Sequence, residues 1–140
     1  MQTFLPFPEF EKSARALDYR RLGKQRVEAD QILTTIITGR KAWANHPAVR
    51  MWRDFQLALA AYRDVCIREW VMRGYKNTML LSLADPPLYD VPPWLGREDF
   101  HISHQSNLVR KFPEHYRPLF PEVPSDLPYV WPVGAPDVLE

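Results

Sequence analysis

Residues 13–38 read SARALDYRRLGKQRVEADQILTTIIT, a stretch free of proline in which Leu17, Leu22, Ala29, Leu33 and Ile36 recur at helical spacing. Ser13 suits the cap that opens such a helix, and Gly39 suits its left-handed stop. One residue breaks the pattern. Gly23 in a helix interior costs about 1 kcal/mol relative to Ala, so the expectation is either close approach of another backbone there or a local irregularity. On the polar side, Asp18, Arg21, Gln25 and Glu28 follow one another at spacings of three and four and therefore share one ridge, with Lys24 beside them. Charges of both signs on one ridge are what a phosphate site with a catalytic carboxylate needs, and also what ordinary surface ion pairs produce.

Working outward, a second helix is expected over 47–73. Asn45 or His46 caps it, Pro47 suits its first turn, and an apolar series from Met51 through Phe55, Leu59, Tyr62, Cys66 and Trp70 ends at Arg73 and Gly74. The string DPPLYDVPPW at 85–94 excludes regular helix, because paired prolines remove donors and extend the residues before them. Ser103 is expected to open a third helix, HQSNLVRK, that Pro113 ends, and PEHYRPLF is expected to add a turn. From Pro121 onward an aromatic, proline-rich segment reads as an extended strap across the helices. The fold class is thus all-α: a compact three-helix domain with an extended C-terminal strap, occupying 1–140 as a single domain.

Composition agrees, with 46% hydrophobic and 25% charged residues, ordinary values for a globular chain. No apolar run approaches the roughly 20 residues that a membrane span requires, and the opening residues lack the pattern of a signal peptide. Cys66 is the single cysteine, read as core packing in a reducing, cytoplasmic compartment. The net charge is only +1, yet Lys12, Arg15, Arg20, Arg21, Lys24 and Arg26 crowd into one segment, a local phosphate footprint or a solvated helix face. No dinucleotide fingerprint, P-loop or serine-hydrolase elbow is present, so no cofactor is expected. His101 and His104 stand three apart without a third ligand, a poor zinc signature, and no metal is expected. Those histidines, with Gln105, Asn107, Arg110 and Lys111, could instead grip a phosphate or a base edge. His46 at a helix start adds an anion-attracting position with Trp43 nearby.

Three segments, in order, resemble the pyrimidine-dimer DNA glycosylase family typified by phage endonuclease V. AYRDVCIREWVMRGYKNT at 61–78 is similar to its long central helix and Arg-Gly-aromatic turn. DYRRLGKQR at 18–26 is similar to its acidic-Tyr-Arg-Glu-Leu-Pro-Arg segment, and HISHQSNLVRKFPEHY at 101–116 to its late helix and aromatic C-terminal stretch. The resemblance implies DNA as partner and a glycosylase with associated lyase activity: an N-terminal amine, here Met1, attacks the sugar C1′ and forms a Schiff base, and β-elimination then cuts the strand. It also implies that Tyr19, Arg20 and Arg26 match the family in type, while the position of the family's glutamate holds Arg21.

A working enzyme would then need another carboxylate from the ridge. Glu28 is preferred, since it can reach inward beside His46 or His104, whereas Asp18 sits near the helix start. The expected catalytic set is Met1, Glu28 and Arg21. The expected substrate and phosphate contacts are Tyr19, Arg20, Lys24, Gln25, Arg26, His46, His104, Gln105 and Lys111, on a chain expected to be monomeric. Two other readings stay open: a non-catalytic nucleic-acid-binding module, and an enzyme acting on a free nucleobase or nucleoside.

Overall fold

The computed structural model describes residues 2–82 and 91–132. Six helices follow in order: α1 Phe10–Ala16, α2 Tyr19–Thr38, α3 Pro47–Trp52, α4 Gln56–Met72, α5 Glu98–Lys111 and α6 Pro113–Tyr116, with no strand among the described residues. The all-α class holds, and α2 packs most extensively against α4. None of these helices is long and apolar enough to cross a membrane.

Both long helices expected from the sequence are divided. The first breaks at Leu17 and Asp18, whose backbones are extended, because Asp18 serves as a cap: its carboxylate accepts from the Arg21 N–H and restarts the chain as α2. The expected capping residue Ser13 lies inside α1 instead, where its hydroxyl donates to Phe7 O and accepts from Phe7 N. The second helix breaks around Phe55, at φ −130° and ψ 48°, and only its short leading part, α3, carries the His46 cap, in which Nδ1 accepts from Ala48 N at 3.0 Å. The third helix starts at Glu98, five residues before the expected Ser103, with Glu98 and Asp99 complementing its N-terminal dipole. Gly39 does end α2 in the left-handed region, at φ 67°.

Gly23 is explained by a side chain rather than a backbone. A Cβ there would lie 2.8 Å from Trp70 Cζ3, so the missing side chain lets the six-membered ring of the α4 indole approach α2 closely. Tyr75 stacks on that indole at 4.3 Å, Tyr19 stacks on Tyr75 at 6.1 Å, and the Arg26 guanidinium sits 4.7 Å from the Trp70 ring. The Arg-Gly-aromatic turn therefore has a packing role: Gly74 takes φ 95°, Tyr75 joins the stack, and Arg73 donates to the Ala14 and Arg15 carbonyls at the end of α1.

The core gathers Trp52, Tyr62, Phe100, Tyr116 and the aliphatic residues of α2 and α4, each large side chain contributing about 1.5–3 kcal/mol by leaving water. Cys66 belongs to it, fully buried, and burial pushes its thiol up to about 12. The extended C-terminal segment crosses α5 as expected, tied by Leu127 N to Ser106 Oγ at 3.0 Å and Val130 N to Ser103 Oγ at 3.1 Å. Of the proline-rich string 85–94, residues 85–90 lie outside the described residues.

Candidate active site

The chain from Gln2 to Phe7 lies in a groove between α2, α4 and α5, and buried side chains hold it at nearly every residue. Gln2 N donates to Glu28 Oε2 at 2.9 Å, and Gln25 Nε2 donates to Gln2 O at 2.7 Å. Gln25 Oε1 accepts from Phe4 N and from the Tyr62 hydroxyl, which also lies 2.7 Å from Phe4 O. Trp52 Nε1 donates to Thr3 Oγ1 at 3.0 Å. Leu5 N donates to His104 Nδ1 at 2.9 Å, His101 Nδ1 donates to Leu5 O at 2.7 Å, and Gln105 Nε2 donates to Pro6 O at 2.8 Å. An extended segment has no internal hydrogen bonds, so these partners satisfy a backbone that would otherwise be buried at a cost.

The chemistry of the two α5 histidines follows. His104 accepts at Nδ1 and is fully buried, which lowers its pKa to about 3 and leaves it neutral. His101 accepts from Gly96 N at Nε2 while donating from Nδ1, so it too is neutral.

Beside residue 2 opens a cleft of about 920 Å³. One wall is the α2 ridge, with Arg21, Lys24, Gln25 and Glu28; Lys111 and Phe112 come from the end of α5, and Phe4, Tyr129 and Trp131 supply an aromatic lining. Arg21 Nη1 pairs with Asp18 Oδ1 at 3.1 Å. Burial alone would raise the Asp18 pKa, but hydrogen bonds from Tyr116 and Arg21 hold it below the ordinary carboxylate value. Burial raises the Tyr129 hydroxyl, which stays a neutral donor. The Gln2 side-chain amide is buried in the same wall, and its Nε2 has no hydrogen-bond partner among the described residues. Cations, two carboxylates, the Gln2 amide and aromatic faces thus meet in a space large enough for a nucleotide.

Residues 1–83, which span α1 to α4 and the Gln2–Glu28 contact, match the family described as pyrimidine dimer DNA glycosylase. The chain belongs to that family. It has no match among curated proteins or among solved structures. The matched part of this pyrimidine dimer glycosylase family member holds the acidic-basic ridge of α2, whereas Lys111, Tyr129 and Trp131 lie beyond it.

Of the residues expected at the site, Tyr19, Arg20, Arg21, Lys24, Gln25, Glu28 and Lys111 all line the cleft. Gln25 does so with its amide already spent on Gln2 and Phe4. Arg26, His46, His104 and Gln105 do not line it. Arg26 donates to Asn77 Oδ1 at 2.8 Å on the far side of Trp70, His46 caps α3, and His104 and Gln105 hold the segment at Leu5 and Pro6. Met1 lies outside the described residues. Sequence reasoning missed Gln2 and Phe4, and it placed Tyr129 and Trp131 only within the extended strap that crosses the helices. No local pattern marks these residues, because their role depends on which helices the N-terminal segment passes between.

Proposed function

We propose that the protein removes damaged pyrimidines from DNA and then cuts the strand, with the α-amine of Met1 as nucleophile and Glu28 as the acid/base carboxylate. The observation that carries this reading is the 2.9 Å hydrogen bond from Gln2 N to Glu28 Oε2, which joins the ridge carboxylate that has no cation partner among the described residues to the first peptide group after residue 1. The neutral amine attacks C1′ of the damaged nucleotide; the C1′–N bond breaks, and the base leaves with the electron pair and takes up a proton. Ring opening gives an iminium between the amine and C1′. A base then removes a C2′ proton and the C3′–O bond breaks, expelling the 3′ phosphate. Glu28 serves as the proton acceptor and donor in these steps.

Arg20, Lys24 and Lys111 contact phosphates of the bound strand, and Arg21, oriented by Asp18, balances the charge that the strand brings to the cleft. Phe4 and Trp131 offer faces for the displaced base, as an enzyme acting on a base drawn out of the stack requires. The Gln2 amide supplies a donor for a pyrimidine carbonyl oxygen. No metal or cofactor enters this scheme.

Borohydride trapping on duplexes carrying a pyrimidine dimer or an abasic site tests it. The expected result is a covalent adduct that maps to residue 1. No adduct on either lesion, with salt-sensitive binding retained, replaces the enzyme by a non-catalytic binding module; loss of DNA binding altogether, with turnover of free nucleosides, replaces it by a small-molecule enzyme.

A further inference from the structure

Trp43 stands out in the turn between α2 and α3. The residue is 61% exposed, and its backbone takes φ 67°, a left-handed conformation that large L residues rarely adopt. The turn is closed by Ala44 N to Lys41 O at 3.2 Å and His46 N to Trp43 O at 3.0 Å. A strained, exposed indole contributes little to folding, and outliers of this kind concentrate where ligands bind.

Its surroundings are ordered with respect to the cleft. His46 is fixed by its cap to α3, and Trp43 meets it edge-on at 6.1 Å. On its other side His46 meets Trp131 at 5.9 Å and 88°, and Trp131 lines the principal cleft. Trp43 itself lines a second recess, of about 540 Å³, together with Glu28, Gln31, Thr34 and Arg40. Glu28 lines both spaces. The same ridge of α2 thus runs from the cleft through Glu28 into the recess, where Gln31 follows about 4.5 Å further along the helix. The carboxylate of Asp30 in this recess is occupied by Arg63 at 2.8 Å, while Gln31 and Thr34 bring amide and hydroxyl groups that suit base edges better than a phosphate.

We infer that this recess is a second nucleotide subsite, in which Trp43 stacks on the base flanking the damaged nucleotide on the same strand and Arg40 contacts its phosphate. The subsite rests on the DNA-glycosylase reading above. A sequence-tolerant stack of this kind would place the reacting nucleotide at Glu28 by holding its neighbour.

The test uses the full chain and duplexes with a tetrahydrofuran abasic analogue, carrying 2-aminopurine on its 5′ or its 3′ side. Binding of the wild-type protein is expected to quench one of the two positions. Trp43→Ala is expected to remove that quenching at saturation and to weaken binding by about tenfold, the loss of one base–aromatic stack. The slope of affinity against salt should stay the same, because the indole neutralises no phosphate. Trp43→Phe should restore most of the affinity, and the thermal midpoint of Trp43→Ala should match the wild type. Wild-type binding with unchanged affinity in Trp43→Ala, or unchanged fluorescence at both flanks, overturns the subsite and leaves the glycosylase reading standing. A wild-type protein that neither binds these duplexes nor is trapped on a natural abasic site overturns both.

Discussion

The Glu28 carboxylate accepts a 2.9 Å hydrogen bond from the backbone N–H of Gln2, 26 residues earlier in the chain. The contact ties the middle of α2 to the start of the chain and brings together a helix carboxylate and a peptide group that no helical pattern relates. A glutamine at 28 can still accept that N–H through its amide oxygen, but it cannot take up a proton. Glu28→Gln is therefore expected to lower single-turnover cleavage of a dimer-containing duplex by at least about a hundredfold, with stability changed by less than about 1 kcal/mol. A melting temperature far below wild type with cleavage intact would make Glu28 an anchor for the N-terminal segment and nothing more.

Lys24 on α2 and Lys111 at the end of α5 face the same cleft from different helices. If each neutralises one phosphate, the slope of log affinity against log salt should become shallower by about 0.9 for Lys24→Ala and again for Lys111→Ala. Anisotropy titrations on a lesion-bearing duplex between low and moderate salt give the slopes. Parallel lines for wild type and both variants would exclude the phosphate contacts.

Gly23→Ala sets helix propensity against packing. The alanine gains about 1 kcal/mol of propensity, but its Cβ would lie 2.8 Å from Trp70 Cζ3, and overpacking of this sort typically costs about 1–3 kcal/mol. Net destabilisation is expected in thermal melts, relieved when Trp70 is shortened to Leu in the same chain. A higher melting temperature for Gly23→Ala alone would mean that the indole swings aside at no cost.

Stability should depend on pH through the buried histidines. His104 is held neutral with its pKa lowered to about 3, against about 6.5 in an unfolded chain. Between those values the unfolded state binds a proton that the native state does not, so stability is fully present above about pH 6.5 and declines as pH falls toward 3. His46 and His101, lowered chiefly by burial, act in the same direction. His104→Asn keeps an acceptor for Leu5 N–H and removes the titration, so urea midpoints should vary less between about pH 6 and 4 than in the wild type. An identical pH profile would show that other groups dominate acid unfolding.

Local chemistry made the helical class legible from the residues alone. Side chains three and four apart must share a helix face, so the Asp18–Arg21–Gln25–Glu28 ridge and the Gly39 stop could be read without knowing what packs around them. The same local rules located the prolines that bound α5 and α6. They could not locate the breaks at Asp18 and Phe55, because an aspartate looks the same in sequence inside a helix as at its start, and the hydrogen bonds that hold Asp18 include those to Tyr116, 98 residues away. Nor could they tell that His101, His104 and Gln105 face inward to the Leu5 and Pro6 backbone, since a polar turn on α5 has the same appearance whether it meets phosphate or a buried strand of chain. Gln2 and Phe4 became cleft residues only through the course of the N-terminal segment between α2, α4 and α5. That course was decided by long-range hydrogen bonds to a backbone with no partners of its own, and a one-dimensional pattern does not encode which distant side chains will satisfy it.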